Sequence, residues 1–410
     1  MSLCIEEPIH GPRLLLLVDC YLPSRKSAAK LIHDLAIGFS DVGSKVTVLT
    51  PDPAITDKVE ISIESGVEVV RVRTGRLKGV SKVRRAINEV RLSASLWYGA
   101  KAYLARNSFD YVVYYSPTIF FGGLVERLKK LWGCKSYLIL RDIFPQWAID
   151  AGVIKSGMIA SFFRRFEIRQ YQAADVIGVQ TPANLAYFED KPWAANYKLE
   201  VLYNWSKTAH DDYASTNFRA SLGLEGKVIF FYGGNIGVAQ DMDNILRLAA
   251  RMAVHDDLHF LLVGAGSEVP RLKKIIRDRK VKNITIHDTV SQEEYLGMLD
   301  EFDVGILTLD KELKTQNFPG KILGYMAAGM PILASHNPGN DICELLHAKE
   351  GGLASVNGND ELLIKHASML RDDAELRERL GKNGRGLLHE LFDVETTAGQ
   401  ILTSLKGASL

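Results

Sequence analysis

The sequence predicts an α/β protein made of two doubly wound domains in series, and three observations predict it. Short β-branched or leucine-rich runs recur along the chain, each followed by a longer stretch of helical period, the pattern of a parallel sheet covered by helices on both faces. That pattern runs twice. At 410 residues, with 47% hydrophobic and 24% charged residues, the chain is too long for one ordinary core and has the composition of a folded protein.

In the first half, strands are expected near 13–19, 45–50, 67–72, 111–116, 136–141, 175–180 and 199–203. The first of these contains the apolar run from Leu14 to Val18, which ends at Asp19 and reads as a buried strand rather than a signal peptide. Second-half strands are expected near 227–232, 258–263, 283–287, 304–309, 331–335 and 351–356, with helices only after Val356. The boundary falls near Tyr203-Asn204-Trp205-Ser206, because the polar stretch 207–217 has no core periodicity and the next strong strand starts at Lys227. The expected domains are therefore 1–205 and 206–395, followed by a terminal helix over 396–410.

Cys4, Cys20, Cys134 and Cys343 show no C-x-x-C spacing, so neither a zinc site nor a disulfide framework is indicated and a reducing, cytoplasmic compartment fits. No stretch reaches the roughly 18 to 20 apolar residues of a membrane span. The net charge of +1 hides a basic segment, 71–106, in which ten Lys or Arg residues face one acid, Glu89. It is interleaved with Val80, Val83, Ile87, Leu92, Leu96, Trp97 and Tyr98. Such a segment either lies against an anionic membrane surface or packs its apolar residues inward and solvates its charges. No nucleic-acid partner is expected.

Two motifs dominate the second half. The strand 227–232 runs into Gly233-Gly234-Asn235-Ile236-Gly237 and then a helix from about Asp241, a turn whose backbone N–H groups either meet a phosphate or simply close a tight βα connection. Some 85 residues on, Asn317-Phe318-Pro319-Gly320-Lys321 leads through an apolar helix to Gly329-Met330-Pro331 and a strand. Proline suits the first turn of a helix, and Lys321 there is either a cation for a diphosphate or a solvated surface lysine. Asp241-Met242-Asp243 mimics a D-x-D metal motif, but acids in a first helical turn are favoured by the helix dipole, and no metal is expected. Val263-Gly264-Ala265-Gly266-Ser267 is a second glycine turn, read as structural, with Arg271 as a further candidate cation.

Together these motifs resemble glycosyltransferase family 4, whose members are retaining enzymes of the GT-B fold. The resemblance spans 13–394 and is strongest over 228–332. It implies two Rossmann-like domains facing across a cleft, the second holding a nucleoside diphosphate sugar, UDP-linked, and the first the acceptor. Residues carried over to the donor site are Gly234, Asn235, Gly237, His287, Thr289, Gln316, Phe318, Pro319, Gly320 and Lys321. The terminal helix of such enzymes commonly crosses back to the first domain. No cofactor is implied, the nucleotide sugar being a substrate. The family usually has two glutamates eight residues apart where this chain has Gln316 and Gly324, so ribose recognition moves elsewhere, with Asn340 and Glu344 as candidates, or is lost.

In the first half, the strand ending Leu140-Arg141-Asp142-Ile143-Phe144-Pro145 resembles the R-D-x-x-P segment of transferases assembling bacterial surface polysaccharides. Arg141 and Asp142 are the catalytic candidates: Asp142 either orients or deprotonates an acceptor hydroxyl, or caps the following helix. Relatives carry a glycine pair near the first strand, where this chain has Arg25-Lys26-Ser27-Ala28-Ala29, cations that suggest an anionic acceptor. The Asn-Phe-Pro-Gly-Lys form resembles a subgroup acting on acetamido or deoxy sugars in O-antigen and capsule assembly, N-acetylfucosamine transferases among them. The expected acceptor is a polyprenyl-diphosphate-linked or other glycan at the inner face of the cell membrane. Two other readings stay open, an epimerase of the same architecture and a non-catalytic partner subunit that binds nucleotide sugar.

Overall fold

The computed structural model describes residues 11–24, 26–76, 79–150, 153–155, 157–189, 191–207, 217–313 and 319–408. Cys4, Arg25, Lys78, most of the linker candidate, and Gln316, Asn317 and Phe318 lie outside them. The chain divides into two compact units, Met1–Trp205 with Val394–Leu410, and Ser206–Asp393.

In the first unit the strands are β1 Arg13–Leu17, β2 Lys45–Pro51, β3 Val59–Glu64, β4 Val67–Val72, β5 Tyr111–Tyr115, β6 Lys135–Leu140, β7 Val176–Val179 and β8 Leu199–Val201. They form one sheet in the order β3-β4-β2-β1-β5-β6-β7-β8, parallel except for β3. The β1 side chains show why its sequence is continuously apolar: Leu15 and Leu17 enter one core, Leu14 and Leu16 the other. Successive residues of a strand point to opposite faces, so a strand covered on both sides has no polar position to spare. Helices Leu92–Arg106, Gly122–Trp132 and Met158–Ala173 contribute to the first core, and Ser27–Asp41 and Val394–Gly407 to the second. The last helix buries Ala398, Ile401 and Leu405 there, each large aliphatic side chain adding about 1.5–3 kcal/mol of transfer free energy.

The sequence reading missed β3. Its residues alternate as Val-Glu-Ile-Ser-Ile-Glu, and it pairs antiparallel with β4 through Ser65-Gly66, both at positive φ (51° and 81°), as a two-residue hairpin turn of type I′ requires. The period-2 pattern was the available signal; Ile61 and Ile63 are exposed, so the strand lacks the continuous apolar run that marks its neighbours.

The second unit holds β9 Val228–Gly233, β10 Leu258–Val263, β11 Ile284–His287, β12 Val304–Thr308, β13 Ile332–His336 and β14 Gly352–Val356. All are parallel in the order β11-β10-β9-β12-β13-β14. This is the doubly wound arrangement, and its order reverses between β9 and β12, where ligands of such sheets bind at the carboxyl ends. In the first sheet the corresponding reversal lies between β1 and β5.

The basic segment is not one surface. Arg71 is buried in β4, and Leu92 and Leu96 sit in the first core, while Arg84, Arg85 and Arg91 are exposed and Arg85 pairs with Glu89 at 2.8 Å. No helix among the described residues is long and apolar enough to cross a membrane.

Candidate functional site: a glycine-turn pocket and a carboxyl-end cluster

In the second unit, the turn after β9 and the turn after β10 are locked together. Gly234 N–H donates to Val263 O at 2.9 Å and Ile236 N–H to Ala265 O at 2.9 Å. A Cβ on Gly264, which has φ +155°, would stand 1.9 Å from Gly234 O, so only glycine permits this approach. Gly264 thus lets Gly234 sit where it does, and both turns front a pocket of about 370 Å³. Gly233, Asn235, Val263, Ala265, Thr289, Val290, Ser291 and Tyr295 complete its lining.

Lys321 stands against this pocket's wall. Its Nζ lies 3.6 Å from the centre of the Tyr232 ring and 3.5 Å from where a Cβ on Gly234 would be. It is no solvated lysine: burial lowers its pKa to about 7. Among the described residues it has no carboxylate or hydrogen-bond acceptor, so the Tyr232 face is its recorded electrostatic support. The Tyr232 hydroxyl in turn donates to Asn235 O at 2.5 Å, tying the ring to the turn.

The other donor-site candidates separate. Thr289 lines the pocket, whereas His287 does not; its Nδ1 is 2.8 Å from Asp288 O and its ring meets Phe218 edge-on. Gly237 N–H is already used, donating to Gln240 Oε1 at 3.1 Å, which also accepts from Asn235 Nδ2 at 2.9 Å. Pro319 and Gly320 precede the helix Lys321–Ala327, with Gly320 as its N-cap. Asn340 is committed elsewhere, as N-cap to Ile342 N and donor to Asn337 Oδ1. The helix after the β9 turn starts at Met242, preceded by a 3₁₀ turn Val238–Gln240. Asp241 accepts from Asn357 Nδ2 at 2.9 Å and Asp243 pairs with Arg271 at 2.9 Å, so the D-x-D acids and the candidate cation Arg271 are each engaged within the protein. Among the described residues no group of three or more His, Cys, Asp or Glu side chains is placed to hold a metal ion.

Tyr295 is a pocket residue that sequence reasoning missed. Its ring packs on Gly233, where a Cβ would lie 2.3 Å from Cε2, and its hydroxyl lies 3.9 Å from where a Cβ on Gly324 would be. Burial raises its pKa, and its hydroxyl has no hydrogen-bond partner among the described residues. The Ser291-x-x-Glu294 capping box announces the helix Gln292–Glu301, but nothing local says that its Tyr295 reaches the glycine turn.

In the first unit, Arg141 and Asp142 follow β6. Arg141 Nη1 donates to Asn204 Oδ1 at 2.7 Å, and Gln180 Nε2 donates to the same oxygen at 3.2 Å. Burial raises the Asp142 pKa while Arg141 works against that shift. Its carboxylate makes no cap: the helix Gln146–Asp150 begins four residues later, and among the described residues the carboxylate has no hydrogen-bond partner. Tyr115, at the end of β5, is pushed up to about 12 by burial, with Arg141, Asp142 and Asp19 around it. Asp19, two residues beyond β1, pairs with Lys26 at 3.6 Å. Asp19 and Lys26 also line a cavity of about 600 Å³ with Thr50, Asp52, Arg71 and Arg76.

Residues 214–387, most of the second unit, match the family described as glycosyl transferases group 1. Among curated proteins, the chain is 24% identical over 286 residues to WcaI of Escherichia coli K12, named as a colanic acid biosynthesis glycosyl transferase, covering 65% of this chain and 70% of that one. It is 27% identical over 229 residues to the glycosyltransferase WbjE of Pseudomonas aeruginosa, covering 53% of this chain and only 55% of WbjE. Sucrose-phosphate synthase from Thermosynechococcus elongatus superposes with a TM-score of 0.71 at 18% identity, over 97% of this chain and all of that one. HepE from Anabaena, solved in complex with UDP-glucose, gives 0.63 at 14% identity, over 97% of this chain and all of HepE. The fold is GT-B, two Rossmann-like units. The group 1 match falls on the second unit, and together these matches support a GT-B glycosyltransferase.

Proposed function

We propose that the protein is a retaining, metal-independent glycosyltransferase that moves a sugar from a UDP-sugar to a polyprenyl-diphosphate-linked or other glycan acceptor in bacterial surface polysaccharide assembly. The observation that carries this reading is the largely desolvated Lys321 ammonium, with no hydrogen-bond acceptor among the described residues, beside the Gly234 turn at the β9/β12 reversal. A cation without an internal partner in a dry site is stabilised by an anion from outside, and a leaving diphosphate develops negative charge as the glycosidic bond breaks. The UDP-glucose bound by HepE supports the donor class, the names of WcaI and WbjE support sugar transfer, and the colanic acid in the name of WcaI supports the polysaccharide role.

In this reading the anomeric carbon–diphosphate bond breaks while the acceptor oxygen bonds to the same face, and the acceptor proton passes to a diphosphate oxygen. Asp142 holds the acceptor hydroxyl and Arg141 steadies that carboxylate, both from the first unit. The sugar is of the acetamido or deoxy class, and the work is done peripherally at the inner face of the cell membrane. Tyr295 supplies the polar contact to the nucleoside that Gly324 lacks. A panel of UDP-sugars with and without lipid-linked acceptor tests this by UDP release: acceptor-dependent release supports it. UDP binding without release under every pairing points instead to a non-catalytic binding subunit, and interconversion of donors to an epimerase.

A further inference from the structure

We propose that Trp147, Val153, Met158, Ile159 and Phe162 of the first unit, with Lys155 and Arg165, form the surface that seats the protein on an anionic lipid interface. The proposal rests on the reading of a lipid-borne acceptor. Five large apolar side chains are exposed there: Trp147 (41%), Val153 (70%), Met158 (91%), Ile159 (65%) and Phe162 (45%). Val153 and Ile154 N–H both return to Ala148 O, at 2.8 and 3.0 Å, which holds these two residues against the helix Gln146–Asp150. Met158, Ile159 and Phe162 then share the first turns of the helix Met158–Ala173. The Phe144 ring joins the two parts, 6.0 Å from Trp147 and 5.1 Å from Phe163, which itself contacts Phe162.

An exposed apolar patch of this kind is uncommon on a protein surrounded only by water. Its charges select the partner. Lys155 and Arg165 are exposed and have no acidic partner among the described residues, and Arg165 follows Phe162 by one helical turn. Arg164 is answered by buried Glu167, and Asp150, the one acid in 147–165, accepts from Gln146 Nε2. An apolar tip with cations one turn behind it matches a bilayer interface, where hydrocarbon lies beneath anionic headgroups, and tryptophan favours that boundary. A symmetric pair of copies would instead set Lys155 and Arg165 against themselves. The basic segment 71–106 fits less well, because its exposed large apolar side chains among the described residues, Ile87 and Tyr98, stand on different helices. The patch also begins five residues after Asp142, so a lipid-borne acceptor held there reaches the carboxylate candidate by a short path.

Co-sedimentation with phosphatidylglycerol-containing and pure phosphatidylcholine vesicles tests this on the full chain. The parent pellets with anionic vesicles, and both Met158→Glu/Ile159→Glu and Lys155→Glu/Arg165→Glu lose roughly tenfold or more in vesicle affinity. Arg84→Glu/Arg85→Glu/Arg91→Glu changes it by about twofold or less, and calorimetric UDP binding is the same in all four proteins. A parent that stays in the supernatant, patch variants that pellet like the parent, or a greater loss in the triple variant overturns the proposal. So does a parent dimer, seen by light scattering, that the Met158/Ile159 variant makes monomeric without changing vesicle affinity. Vesicle binding through 147–165 with no UDP release for any donor and acceptor leaves this inference standing and removes the transferase reading.

Discussion

Lys321 in the second unit and Arg71 in the first are both desolvated cations beside a pocket at the carboxyl ends of parallel strands, yet their surroundings differ in kind. Arg71 donates to Glu64 at 2.6 Å, Ser62 Oγ at 2.9 Å and Leu22 O at 2.6 Å, and stands 3.8 Å from Asp52. The Glu64 hydrogen bond raises its pKa despite burial. Lys321 has the face of Tyr232 and no carboxylate among the described residues, and burial lowers its pKa to about 7. A buried cation answered from within holds the fold together, whereas one left unanswered is a cost that a bound anion removes. The same test separates the Asp142 carboxylate, without a hydrogen-bond partner among the described residues, from Asp243, taken by Arg271.

The largest expected effect tests the structural side of this contrast. Arg71→Ala strips the partner from Glu64 and should cost about 2–4 kcal/mol of stability, at the lower end of the range for broken buried pairs because Glu64 keeps some water. Chemical denaturation measures it, and a loss below about 0.5 kcal/mol would erase the distinction from a surface pair. Next is Asp142→Asn, expected to lower turnover roughly 100-fold with UDP affinity and stability unchanged. Steady-state kinetics at wild-type rate would leave Asp142 without a catalytic task.

Lys321→Ala should weaken UDP binding by about 1.5–3 kcal/mol while leaving stability unchanged or improved, the reverse of Arg71. The sign of its pH dependence follows from the lowered pKa. Between about 7 and the ordinary value of 10.5 the folded protein binds fewer protons at Lys321 than the unfolded chain, so its destabilisation is full below pH 7 and fades as pH rises through that window. UDP binding above pH 7 should therefore take up a proton and weaken as pH increases. Calorimetry at pH 8 in buffers of different ionisation enthalpy reads the uptake, which Lys321→Ala should abolish. The smallest effect is expected of Tyr295→Phe, about 0.5–1.5 kcal/mol in UDP affinity with the ring's packing on Gly233 intact. No change in affinity would assign Tyr295 to packing alone.

Thirteen of the fourteen described strands were legible because both faces of these sheets are covered, which forces continuous apolar runs onto the sequence. The strand that escaped, β3, is an edge whose exposed Ile61 and Ile63 break that rule. The Gly233 to Gly237 turn and Lys321 could be named as candidates because glycine and lysine at βα connections have a short menu of uses. Their separation into different duties was not legible, since Gly237 N–H is claimed by Gln240 and His287 turns to Phe218, choices made by side-chain packing.

By itself, the sequence determined the alternation of strands and helices, the glycines at the turns, and which residue types stand at strand ends, because backbone periodicity and φ restriction act over a few residues. Only the tertiary structure decided which charges are answered. Lys321 has no carboxylate among the described residues and stands beside Tyr232 from a strand some 90 residues earlier, Arg71 is paired across the β3–β4 hairpin, and Tyr295 reaches Gly233 from another helix. Desolvation and Coulomb interaction depend on what lies within a few ångströms in space, and that neighbourhood exists only once the sheets have formed.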